Sequence, residues 1–274
     1  MASTLVGADM SHVICEKYAG DVIKSYSPNL IVHPYLFETE HLPSGHSIQN
    51  VVEKVCSVLD RIHVVVIGPG LGRDKTMLET TAAIIQEAKK RKLPIVIDAD
   101  GLYLIQNQPD LIKGYEKAIL TPNVVEFQRL CKALEIDDAG GDDPASAPKV
   151  SKLATTFGGL TILEKGKLDN ISNGHTTISN DISGGPKRVS GQGDTLSGSI
   201  AAFLAWQLAY EQKLWDTEPI KEAQDSRDLT LLAVFAASSI TRTASALAYK
   251  NHGRALLTSD ISDSVGAAFK QLFE

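Results

Sequence analysis

Residues 62–67, Ile-His-Val-Val-Val-Ile, limit the possible folds more than any other stretch. The run is nearly continuous in β-branched side chains. A strand with one wet face alternates apolar and polar residues, whereas a continuous run suits a strand covered on both faces, as in a parallel sheet. It stops at Gly68-Pro69-Gly70-Leu71-Gly72, and a helical pattern rich in Glu, Ala, Lys and Ile follows over about 75–92. The unit of apolar run, turn and helix recurs. Further strands are expected at 12–15, 29–33, 94–98, 118–120 and 160–163. Helices are expected at 124–134, up to 157, 194–210 and 228–249, and the turn-rich 166–186 region reads as a hairpin. Strands alternating with helices imply an open, mostly parallel sheet with helices on both faces. No internal repeat or linker divides the chain, so residues 1–274 are read as a single domain.

Charge and cysteine content exclude several classes. Lys+Arg number 27 and Asp+Glu 33, a net charge of −6, which leaves no broad basic field for nucleic acid. Cys15, Cys56 and Cys131 are odd in number, widely spaced and without a Cys-x-x-Cys pair, as in a reduced intracellular protein. No zinc pattern is present. Residues 1–9 lack a basic segment leading into a long apolar core, so no signal peptide is expected. The apolar stretches 196–209 and 229–248 carry polar residues, Arg242 among them, and read as core helices. The acidic loop 137–143 and the stretch 211–228 read as solvated surface.

In an open parallel sheet, ligands gather beyond the carboxyl ends of the strands. The residues expected there are Gly68 to Gly72, Asp98 to Gly101, 121–127, Glu164-Lys165-Gly166 and Gly191-Gln192-Gly193-Asp194. The last is the sharpest. Glycines admit close backbone approach, and the helix that follows offers free N–H groups and a positive dipole end to a phosphate. Asp194 beside such a turn can take the proton of a hydroxyl attacking phosphorus, or can simply cap the helix. The 68–72 turn is neither a Walker A loop nor a dinucleotide fingerprint. Asp98 and Asp100 read as a metal pair or as an Asp-Gly turn. Asn123 and Glu126 have capping-box spacing. Lys165 reads as a phosphate ligand or a solvated lysine.

Five motifs in order, 68–74 (GPGLGRD), 97–102 (IDADGL), 120–127 (LTPNVVEF), 164–166 (EKG) and 187–198 (KRVSGQGDTLSG), resemble the eukaryotic ATP-dependent NAD(P)H-hydrate dehydratase family. The likeness runs from about Gly7 to the C-terminus. It implies a ribokinase-like, three-layer α/β/α fold with a mostly parallel central sheet. It implies repair of the S form of hydrated NADH and NADPH, with ATP and Mg2+. By resemblance Asp194 is the base and contacts the substrate. Gly70, Gly72, Asn123, Val124, Val125, Glu126, Phe127, Gln128 and Arg129 line the substrate site. Lys165, Gly166, Lys167, Leu168 and Asp169 contact ATP, as do Gly184, Gly185, Pro186, Lys187, Arg188, Val189, Ser190, Gly191, Gln192 and Gly193. No metal ligand is assigned. The implied partners are the two small molecules, with no nucleic acid and no membrane. A homo-oligomer stays open.

Family members usually begin with a further strand and a glycine-rich loop that bounds the substrate pocket. Residues 1–9 resemble the end of the helix after that loop, so the resemblance implies an N-terminally shortened form with exposed strand edges. A cytoplasmic location is expected, or a mitochondrial one where an upstream extension exists. Two other readings stay open: a small-molecule kinase of the same fold, and a nucleotide-binding form impaired in catalysis.

Overall fold

The computed structural model describes residues 1–136, 148–218 and 225–274. The acidic loop 137–143 lies outside them, as does part of the 211–228 stretch. In chain order the elements are α1 (Ala2–Val6), β1 (Ser11–Glu16), α2 (Gly20–Tyr26), β2 (Leu30–Leu36), α3 (Ile48–Leu59), β3 (Val65–Ile67) and α4 (Lys75–Lys90). Then come β4 (Ile95–Ile97), α5 (Asp100–Asn107), β5 (Ala118–Leu120), α6 (Val124–Ala133), α7 (Lys149–Thr156) and β6 (Thr161–Glu164). The chain continues through β7 (Asp169–Ser172), β8 (Thr177–Asn180), α8 (Gln192–Glu211), α9 (Ser226–His252), α10 (Thr258–Asp263) and α11 (Val265–Phe273).

The main sheet has six strands in the order β3-β4-β5-β6-β7-β8. Strands β3 to β6 run parallel, and β6, β7 and β8 are joined antiparallel, the expected hairpin. The central strands alternate strictly between two apolar layers. Ile95, Ile97, Ala118, Leu120 and Ile162 face the layer built by α4, α5, α6 and α7. Val96, Ile119 and Leu163 face α8 and α9. All eight are fully buried, which is why these strands carry no polar face. This is the three-layer α/β/α architecture.

Two sequence expectations are corrected. First, the 62–67 run forms a ladder only at Val65–Ile67. Val65 and Val66 are half-buried, because β3 lies at the end of the strand order and pairs with β4 alone. Second, β1 and β2 do not join that sheet; they form a separate parallel pair. This pair is fastened through α3, whose Val51, Val52, Val55 and Leu59 pack with Leu36 of β2 and with Met77 and Ile84 of α4. The sequence reading did not include α3. Its signal was present: Ser47 and Asn50 form a capping box, each accepting from the other's backbone N–H.

Residues 226–255 are long and apolar enough to cross a membrane, yet two-thirds of the most apolar window is inside the protein. Val234, Ala237, Ile240, Ala244 and Ala248 of α9 are fully buried, so it is a core helix. The three cysteines are free.

Candidate functional site

The carboxyl ends of β3 and β4 meet over glycine. Gly68 has φ of +119°, and a Cβ there would stand 1.8 Å from the Asp98 carbonyl oxygen. A Cβ on Gly101 would stand 2.7 Å from the Ile67 carbonyl oxygen. These two glycines serve backbone contact. Gly70 and Gly72, at φ +65° and +72°, have nothing within 4 Å of a Cβ. Their turn stands open toward the rim, and the Gly72 N–H and Arg73 Nε both donate to Asp100. Ala99 sits at φ +48°, a conformation an alanine adopts only when its surroundings impose it.

Asp98 closes β4 and is 2% exposed. Its Oδ1 accepts from Lys165 Nζ at 2.8 Å and from the Ala99 N–H at 2.8 Å. Its Oδ2 accepts from Ser197 Oγ at 2.7 Å. Asp98 and Asp100 thus turn to different cations, Lys165 and Arg73, and do not converge as a metal pair. Lys165 is partly exposed, and its ammonium is committed to Asp98.

Above this carboxylate lies the start of α8. Gly191 takes the left-handed conformation, φ +85°, and no side chain caps the helix. The first N–H groups of a helix lack intrahelical partners, so this turn offers donors and a positive dipole end. Gly193 sits directly over the buried pair: a Cβ there would be 3.3 Å from Asp98 Oδ2 and 3.6 Å from Lys165 Nζ. Asp194 follows, exposed on one side. Partial burial pushes its carboxyl above the ordinary carboxylate range. The Asp98 charge adds to this and Lys165 opposes it.

The remaining candidate residues divide by where their side chains go. Asn123 caps α6, accepting from the Val125 and Glu126 N–H groups at 3.0 Å, while Glu126 accepts from the Asn123 N–H. Val124, Val125, Gln128 and Arg129 are exposed, and Phe127 is buried in the core. A cleft of about 20 Å³ between α5 and α6 is lined by Arg73, Tyr103, Gln106, Glu126 and Arg129, with Arg73 over the Tyr103 ring. A larger cavity, about 210 Å³, opens at the amino ends of β4 and β5, away from this rim.

In the 165–169 turn, Asp169 points inward, not to solvent. It accepts from the Gly166 N–H, Ser238 Oγ and Arg242 Nη1. Leu168 is exposed. Gly185 passes so close to α9 that a Cβ would lie 2.6 Å from the Ser245 carbonyl oxygen. Lys187 Nζ is held by the carbonyls of Arg254 and Leu256. Thr258 of α10 donates to the Ser190 carbonyl.

Sequence reasoning missed two residues of this region. Ser197 joins the buried carboxylate to α8. Arg242 donates to the carbonyls of Ile182, Gly166 and Lys167 as well as to Asp169, and so fixes the 165–169 turn. The signal for Arg242 was a single charge within an apolar helix.

Comparison with known proteins identifies relatives of this chain. A family profile described as NAD(P)H-hydrate dehydratase matches residues 1–266. A protein of Phaeosphaeria nodorum named ATP-dependent (S)-NAD(P)H-hydrate dehydratase is 50% identical over 269 residues, 98% of this chain and 81% of its own length. A protein of the same name from Schizosaccharomyces pombe is 47% identical over 100% of this chain and 81% of its own. One from Homo sapiens is 43% identical over 98% and 72%. Among solved structures, a ribokinase-like superfamily protein from Enterococcus faecalis superposes with a TM-score of 0.69 at 21% identity, covering 98% of this chain and 80% of that one. A hydroxyethylthiazole kinase from Pyrococcus horikoshii gives 0.58 at 15%, covering 100% and 92%. Both likenesses are of fold.

Proposed function

The chain belongs to the NAD(P)H-hydrate dehydratase family, and on that premise we propose that it returns the S form of hydrated NADH and NADPH to the reduced cofactor, with ATP converted to ADP and phosphate. The reaction is that of a lyase. The observation that carries the reading is the placement of Asp194: an exposed carboxylate on the uncapped first turn of a helix, at the carboxyl rim of a parallel sheet and next to the Gly193 that overlies the Asp98–Lys165 pair.

The chemistry follows from leaving groups. Hydroxide leaves a ring carbon poorly, and phosphate leaves it well. Asp194 takes the proton of the ring hydroxyl as that oxygen bonds to the terminal phosphorus of ATP and the bond to ADP breaks. The first N–H groups of α8 hold the phosphoryl group in transit. The carbon–oxygen bond then breaks, its electron pair leaving on phosphate. The neighbouring ring carbon gives up a proton to water, and its C–H electron pair restores the ring double bond. The exposed face of α6, Val124, Val125, Gln128 and Arg129, supports the nicotinamide nucleotide side. The turn at 165–169 and the loop from Gly184 to Gly193 support the ATP side.

Magnesium would accompany ATP in this reading and would offset the charge of its phosphates. Such an ion would keep several waters and be held chiefly by the phosphates themselves. Among the described residues, the grouped ligand set Glu38, Glu40 and His41 belongs to the turn after β2, not to this rim. Three free thiols support a reducing compartment such as the cytoplasm, which cell fractionation checks.

The test is recovery of reduced-nicotinamide absorbance from NADPH hydrate with purified chain, ATP and magnesium. Recovery that requires ATP is expected. ADP formation without recovery would assign a kinase instead, and no reaction from a folded, ATP-binding chain would overturn the reading.

A further inference from the structure

Asp98 is harder to account for than Asp194. It is a carboxylate at 2% exposure, and a buried charge is costly unless it is paired and fully hydrogen-bonded. It is both, with Lys165, Ser197 and the Ala99 N–H as donors. Yet buried pairs of this kind add little net stability, and apolar residues of the same volume often do as well. Stability alone does not explain an ion pair at this place. Its position does. Lys165 comes from the end of β6, Asp98 from the end of β4 and Ser197 from the second turn of α8. Ser197 Oγ also lies 3.0 Å from the Gly193 carbonyl, so its one proton is shared between that oxygen and Asp98 Oδ2. One carboxylate therefore ties two strand ends to the turn that carries Asp194.

We propose that Asp98 and Lys165 are a positioning pair for the reaction: the carboxylate locks β4, β6 and the first turn of α8 into one floor, and the two opposed charges act on Asp194 from beneath. This rests on the function proposed above. Asp98 and Lys165 are the charges whose fields reach Asp194 among the described residues. The other charged groups of the neighbouring elements are engaged elsewhere or stand on the flanking loops. Asp100 pairs with Arg73, Lys187 is held by two carbonyls, and Asp260 of α10 pairs with His252. Arg242 pairs with Asp169, Glu164 accepts from Asn170, Asp263 ends α10, and Arg188 and Arg254 flank the 191–194 turn.

The two members act on Asp194 with opposite sign, and this separates positioning from mere packing. Asp98→Asn removes a negative charge, so Asp194 ionises at lower pH and the acid limb of kcat/KM moves down. Lys165→Met removes a positive charge, and the limb moves up. Ser197→Ala leaves both charges in place: the limb stays, and kcat falls by about 10²-fold if the turn shifts by an ångström. Limbs that stay put in both charge variants, or move the same way, would overturn the proposal. If Asp98→Asn does not fold, the upward shift in Lys165→Met and the fixed limb in Ser197→Ala still decide it. Asp194 is also titrated in the substrate-free protein by carbon-13 NMR of labelled aspartate, its resonance assigned by its loss in Asp194→Asn. Opposite displacements there support the pair even if no turnover is found, so failure of the pair and failure of the proposed function are told apart.

Discussion

At the scale of the residue, Asp194 sets function against stability. Its native carboxyl holds a proton more tightly than it would in the unfolded chain. Such a group stabilises the native state below the ordinary carboxylate range, and the contribution is lost as pH rises through the native midpoint. At neutral pH the ionised form is therefore a cost. Asp194→Asn is expected to raise Tm at pH 7, with the gain shrinking as pH falls. The same variant is expected to lose roughly 10²–10⁴-fold in turnover, the usual worth of a positioned base. Thermal melts across pH and steady-state kinetics check the two halves. Gly68 and Gly70 give a second contrast. Gly68→Ala puts a Cβ 1.8 Å from the Asp98 carbonyl oxygen, and the chain should not reach a stable fold. Gly70→Ala meets nothing within 4 Å, so it should fold with a loss of about 1–2 kcal/mol from its left-handed backbone and a raised KM for the hydrate. Denaturant melts of the two variants separate these cases.

At the scale of the element, the ATP side is held from behind. Arg242, at 13% side-chain exposure, reaches from α9 to the 165–169 turn and pairs with Asp169 at 8%. Arg242→Met leaves that carboxylate buried and unpaired, at about 3–5 kcal/mol. It should also raise the KM for ATP more than that for the hydrate, as initial rates with each substrate varied will show. Elements were legible where one physical demand dominated. The strand Ala118–Leu120, covered on both faces, has no polar residue to confuse the reading, and its boundaries were found as observed. The α6 cap was legible because Asn123 and Glu126 answer each other locally. Strand β3 was read too long, since neither its place at the end of the sheet nor the half-burial that follows is written in a single run. Helix α5 was not read, because its opening Asp-Gly suited a turn or a metal pair equally well. Asp98 was legible as a rim residue, but not as the hub of a network, because Lys165 and Ser197 stand 67 and 99 positions away.

At the scale of the whole molecule, the main sheet gathers the rim, and the end strands of both sheets pair on one side only. Each of β1, β2, β3 and β8 pairs with a single strand among the described residues. Unpaired edges are templates for association, so this chain should associate as its concentration rises, and light scattering over a dilution series measures it. A ligand that binds only the native state should oppose that loss. ATP at a hundred times its Kd is worth about 2.7 kcal/mol, visible as an upward shift in Tm. The central claim is that the fold joins a phosphoryl transfer to an elimination at one carboxylate. It is tested most directly by the fate of the substrate's own oxygen. NADPH hydrate prepared in oxygen-18 water carries the label on its ring hydroxyl. After turnover with unlabelled ATP, the account predicts that the label appears in inorganic phosphate, one atom for each NADPH formed. Label released into water, with unlabelled phosphate, would show that the hydroxyl leaves without being phosphorylated and would contradict the account.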